Sequence, residues 1–140
     1  MAAGEEIHSG ACLCGAVRYR VAGPLEPVVG CHCTMCRKQT GHFLASTSVA
    51  TEDLTIEGAD NLRWYQSSHF ARRGFCGECG SVLFWESDKR PRTAIAMGGF
   101  DGPTGVTWDK HIFVADKGDY YEIEGDAPAF DRRLKPASDV

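Results

Sequence analysis

Seven cysteines fall into three tight groups: Cys12 and Cys14 in "ACLCG", Cys31, Cys33 and Cys36 in "GCHCTMC", and Cys76 and Cys79 in "FCGECG". Two thiolates at C-x-x-C spacing can grip one metal ion, and Gly80 after Cys79 lets the backbone turn tightly beneath it. A closed structural zinc site takes four protein ligands. Cys12 and Cys14, also followed by a glycine, Gly15, offer the second pair. The spacing therefore predicts one zinc held by Cys12, Cys14, Cys76 and Cys79. Cys31, Cys33 and Cys36 remain. Three protein ligands with an open fourth position are the arrangement of a catalytic zinc. An ion there can lower the pKa of bound water, polarise a carbonyl, or bind a substrate thiol as thiolate. These three are the candidate catalytic residues, as ligands of a second, labile zinc.

Other readings of the same residues stay open. A lone cysteine is most simply a small buried hydrophobe. A C-x-x-C can be a redox pair, but that wants a helix N-terminus in a βαβ setting, and "FCGECGSVLFW" reads as turn then strand. His32, His42 or another histidine could close the second site with a fourth ligand, although His32 stands between two ligands, a place that favours a side chain turned away. His32, His42 and His111 are also the candidate acid/base groups, each with a hydrogen-bonded structural role as its alternative. Cations near the clusters would help keep thiolates ionised. Arg37 and Lys38 follow Cys36, and Arg72 and Arg73 precede "GFC". Arg37, Lys38 and Arg73 are candidate substrate-binding residues, suited to pairing carboxylates of an anionic thiol. Solvated surface charge is the alternative.

The elements that must position these groups read as short strands. "AVRYRVAG" (16–23) alternates Val17, Tyr19 and Val21 against Arg18 and Arg20, the period of a half-buried strand. The segments 42–49, 62–67, 81–86, 93–100 and 110–116 are rich in β-branched and aromatic residues and bounded by turn formers. Only "TMCRKQTG" (34–41) suggests a turn of helix. The expected class is mainly β, with few or no long helices. The 140 residues suit a single zinc-binding domain, with its core at about 8–123 and a loose tail over 127–140. The 43% hydrophobic residues provide a core without disulfides, and an odd number of cysteines fits metal or catalysis in a reducing compartment. A net charge of −4 argues against a nucleic-acid partner. With no membrane-length apolar run and no signal-like N-terminus, the expectation is a cytoplasmic protein without a membrane partner.

Taken together, "GACLCGAVRYRV", "GCHCTMCRKQTG", "RRGFCGECGSVLFW" and "KHIFVADKGDYYEI" resemble the glutathione-dependent formaldehyde-activating enzyme family, which also includes centromere protein V. The resemblance spans roughly residues 8 to 123. It implies small antiparallel sheets pinned by zinc, of the β-tent type. It implies a structural zinc on Cys12, Cys14, Cys76 and Cys79 and a second, labile zinc on Cys31, Cys33 and Cys36. It also implies a carbon–sulfur lyase that condenses glutathione with formaldehyde to S-hydroxymethylglutathione, or runs the reverse. Glutathione or a similar small thiol and a small aldehyde are the implied partners. Many members carry Ala-Pro-Trp where this chain has Gly118, Asp119 and Tyr120. Two other classes compete with the enzyme: a non-catalytic zinc-stabilised binding module, and a thiol- or metal-responsive sensor.

Overall fold

The computed structural model describes residues 6–132. Ten strands and one α-helix follow in order: β1 (Ile7–Ala11), β2 (Arg18–Ala22), β3 (Val28–Cys31), α1 (Thr34–Thr40), β4 (Leu44–Ala50), β5 (Leu54–Glu57), β6 (Leu62–Gln66), β7 (Ala71–Cys76), β8 (Val82–Ser87), β9 (Arg92–Ala96) and β10 (Trp108–Ile112). The mainly β expectation is borne out. The strands form a three-stranded sheet, β1-β2-β5, and a seven-stranded sheet, β10-β3-β4-β9-β8-β7-β6. Every pairing is antiparallel except β10 with β3, which is parallel.

The period-two pattern of the sequence makes the core. In β2 Tyr19 and Val21 are buried while Arg18 and Arg20 face solvent. They pack with Leu83 and Phe84 of β8, Ile95 of β9 and Val49 of β4, which joins the two sheets. The Tyr19 ring meets Phe84 and Phe100 edge-on, with centroids 5.4 and 5.6 Å away. This core backs the large sheet, from which β3, β7 and the turn before β8 present their cysteines.

The segments 93–100 and 110–116 are strand only in their first part. Met97–Gly99 and Val114–Asp116 close each as a 3-10 turn. The chain then returns along β10. His111 N–H donates to Pro128 C=O and Phe130 N–H to His111 C=O, at 2.8 and 2.9 Å. The first residues of the expected loose tail, 128–132, are thus hydrogen-bonded beside β10, and the rest of that tail, 133–140, lies outside the described residues. Among the described residues, no helix is long and apolar enough to cross a membrane.

Candidate metal centres

Cys12 and Cys14 lie in the turn that leaves β1. Cys12 N–H donates to Val17 C=O at 2.9 Å, and Gly15 takes a φ of 82°, which closes the turn. Cys76 ends β7, and Cys79 sits in the turn to β8, where Gly80 has a φ of 81°. Both glycines therefore occupy left-handed backbone that a side chain would strain. The two turns face each other: Leu13 N–H donates to Ser81 Oγ at 2.9 Å.

The four sulfurs lie within 4.8 Å of one another. Cys12 and Cys14 are 3.7 Å apart and Cys14 and Cys76 are 3.8 Å apart, sulfur to sulfur. Four thiolates around a tetrahedral zinc at ~2.3 Å stand about 3.8 Å from each other, so the spacing fits the ion. Three of the four sulfurs also accept hydrogen bonds that favour the thiolate. Cys76 Sγ accepts from the N–H groups of Glu78 and Cys79 at 3.3 and 3.4 Å, and Cys12 Sγ from Val17 N–H at 3.3 Å. The Ser81 hydroxyl, 3.2 Å from Cys79 Sγ, helps push that thiol down to about 5.

The second group closes at three. Cys31 ends β3, Cys33 is the N-cap of α1, and Cys36 is buried in its first turn. Their sulfurs also lie within 4.8 Å of one another, and among the described residues no histidine or carboxylate joins them at that distance. Cys36 N–H donates to Cys33 Sγ at 3.3 Å. Hydrogen bonds from Cys31 and Cys36 push the Cys33 thiol down to about 2, and the same crowding pushes Cys31 up. Three sulfurs this close cannot all ionise without a cation among them. The donor set suits a soft divalent metal with one position left over. Each cluster can hold one metal ion.

The basic residues separate by place. Arg37 and Lys38 are exposed on α1, and Arg37 donates to the Asp116 carbonyl at 3.0 Å. Arg72 points outward, pairs with Glu86 at 2.9 Å and covers the Trp64 ring. Arg73 points inward and is 6% exposed. Its Nη1 donates to Cys36 Sγ at 3.6 Å and to Gln39 Oε1 at 3.0 Å, and its buried Nε has no partner. No carboxylate pairs with it among the described residues.

His32 turns away from the sulfurs beside it. It is fully buried, with Nε2 3.0 Å from His111 Nδ1 and Nδ1 2.6 Å from the Tyr121 hydroxyl. Burial first, then the neighbouring charges of His111, His42 and Lys117, push it down to about 4. His42 pairs with the Tyr120 hydroxyl. The three histidines singled out in the sequence therefore gather in one aromatic pocket with Phe43, Trp108 and Tyr121. Sequence reasoning missed those three rings. The available signal was alternation, which puts Phe43 and His32 on one face once β3 and β4 are paired.

Several known proteins are similar to this chain. An uncharacterized lyase of Schizosaccharomyces pombe is 29% identical, over 88% of this chain and 90% of its own. A Halomonas elongata protein provisionally named glutathione-dependent formaldehyde-activating enzyme is 30% identical, over 82% of this chain and 80% of its own. A crystal structure of a Rhodobacter sphaeroides protein superposes with a TM-score of 0.59 at 26% identity, covering 71% of this chain and 98% of that one. The sequence model of the glutathione-dependent formaldehyde-activating enzymes matches residues 7–116, which contain all seven cysteines, and the chain belongs to that family.

Proposed function

We propose that the protein is a zinc-dependent carbon–sulfur lyase or synthase that handles thiol–aldehyde adducts, acting at Cys31, Cys33 and Cys36. The carrying observation is the cluster of three sulfurs that no fourth protein ligand closes among the described residues. Family membership and the lyase name of a relative support the reaction class. In this reading Cys12, Cys14, Cys76 and Cys79 hold a structural zinc and the three-cysteine group holds the reactive one. Zinc, when bound there, favours the thiolate of an incoming thiol and polarises an aldehyde carbonyl.

The chain's own residues do the rest. The three cysteines fix where a thiol and an aldehyde meet, and that proximity is the main rate contribution. Arg73 supplies a buried positive charge beside Cys36 and offsets the negative charge of the sulfur cluster. Arg37 and Lys38, exposed on the same helix, pair with carboxylates of glutathione or a similar anionic thiol. The protein is expected to work in the reducing cytoplasm, where such thiols are abundant.

The test is Cys33→Ser with zinc content measured alongside activity. The variant should fold, keep one zinc, and lose acceleration of glutathione–formaldehyde exchange over a no-protein control. A small aldehyde panel guards against the wrong substrate. A two-zinc parent that accelerates nothing in the panel would hand the site to a non-catalytic binding module. Parental activity in Cys33→Ser would move the chemistry elsewhere.

A further inference from the structure

We propose that the aromatic pocket on the opposite face of the sheet from the three-cysteine cluster is a binding site for a small organic cation of the alkylammonium class. The placement follows from strand alternation. Cys31 points to one face of β3, so Gly30 and His32 belong to the other. His111 of β10 and Ala45 of β4 both pair with Gly30, which puts His111 and, two residues before Ala45, Phe43 on the same face as His32. Gly30 leaves room for the rings: a Cβ there would stand 2.8 Å from His111 Nδ1 and 3.1 Å from the Trp108 ring.

The pocket is built rather than incidental. His32 stacks on Phe43 with centroids 4.5 Å apart, and Trp108 lies 4.7 Å from His111. The hydrogen bonds of His32 to His111 and Tyr121 tie three of its walls together. The cavity is about 220 Å³. That is below the ~300–1,000 Å³ of pockets for drug-sized ligands, so the ligand is a fragment.

Charge selects its class. Glu122 and Glu124 line the pocket, both are exposed, and neither joins an ion pair among the described residues. Phe43, Trp108 and Tyr121 give the pocket uncharged aromatic walls. Lys117 lies 5.0 Å from the Tyr121 centroid, but the carbonyl oxygens of Gly118 and Tyr121 hold it and it is not a wall residue. Ring faces attract a cation, most strongly when it sheds little water, as a methylated ammonium does. Two carboxylates at the mouth add to that attraction and oppose a dicarboxylate such as glutathione. The inference is therefore independent of the thiol–aldehyde reading.

The experiment titrates the full-length, metal-loaded protein with choline, following the ring protons of Phe43 and Tyr121 by NMR. A parallel titration uses its neutral carbon isostere, with tert-butyl in place of trimethylammonium. Choline should bind saturably with a Kd on the order of millimolar, as expected for so few atoms. The isostere should bind about tenfold more weakly, the share of affinity owed to charge. Trp108→Ala should abolish binding, and Trp108 is 45% exposed, so its truncation spares the core. Should that variant misfold, Glu122→Gln with Glu124→Gln carries the same question on exposed side chains, and affinity should drop severalfold. Absence of a saturable shift, equal affinity for the isostere, or unchanged affinity in a folded variant would overturn the assignment.

Discussion

A buried guanidinium that no carboxylate pairs among the described residues has to be explained by something else nearby, and the partners Arg73 has there are Cys36 Sγ and Gln39 Oε1. If the sulfurs were protonated and metal-free, replacing this charge by an apolar group would be neutral or stabilising. If they are thiolates around a divalent ion, its removal leaves their net negative charge buried and uncompensated. Arg73→Met should then weaken zinc at the three-cysteine site by roughly tenfold, the value of a charge-assisted contact, with Arg73→Lys recovering part of it. Competition against a graded chelator measures this, and unchanged zinc affinity would remove Arg73 from the site. His32 offers a second test. Its imidazole is held at about 4 in the folded chain against ~6.5 when unfolded, so the unfolded state takes up the proton first. The stability it contributes is complete above about pH 6.5 and is lost as pH falls towards the folded value. NMR titration of its ring protons reads this directly, and a midpoint at or above the ordinary value would contradict the buried arrangement.

Strand alternation does the most at the next scale. Within β3 and the residue after it, consecutive side chains go to sulfur cluster and aromatic pocket in turn, so two sites share one strand. Gly30 matters to the pocket face, because the His111 and Trp108 rings pack where its side chain would be. Gly30→Ala would drive a methyl into rings that hydrogen bonds and stacking hold in place. The expected cost is about 1–3 kcal/mol, read as a lowered Tm. A Tm equal to the parent's would mean the rings can shift freely. Legibility in the sequence varied for the same reason. The alternation of Tyr19 and Val21 against two arginines made β2 plain, and Gly41, with its φ of 86°, ended α1 where the sequence suggested. β3, with "VVGC", and β7, with "ARRGFC", were not legible as strands. β3 is only four residues long with a glycine in it, and β7 buries an arginine against sulfur, so neither shows a clean apolar period. The two sulfur clusters were legible because C-x-C and C-x-x-C spacing is local. The pocket was not, because it needs the parallel pairing of β3 with β10, which no local pattern encodes.

At the scale of the whole molecule the two clusters close chain segments of very different length. The four-cysteine group joins turns from the two sheets, with Cys14 and Cys76 separated by 62 residues along the chain. Closing so long a loop costs the unfolded chain much of its freedom. A structural zinc contributes ~10–16 kcal/mol of binding free energy to small zinc-dependent folds, about as much as the entire stability of a domain. Cys76→Ser should therefore abolish cooperative folding, seen as loss of native circular dichroism or aggregation. The three-cysteine group caps one short helix at the end of one strand and closes no comparable loop. It also has one protein ligand fewer. A mild chelator should remove its metal first and leave a folded species with one zinc, visible by native mass spectrometry beside an unchanged far-ultraviolet spectrum. Only stronger chelation should then unfold the chain as the second ion leaves. Loss of both ions in a single cooperative step would mean that the sites are energetically one, and the division into a structural and a reactive centre would fall with it.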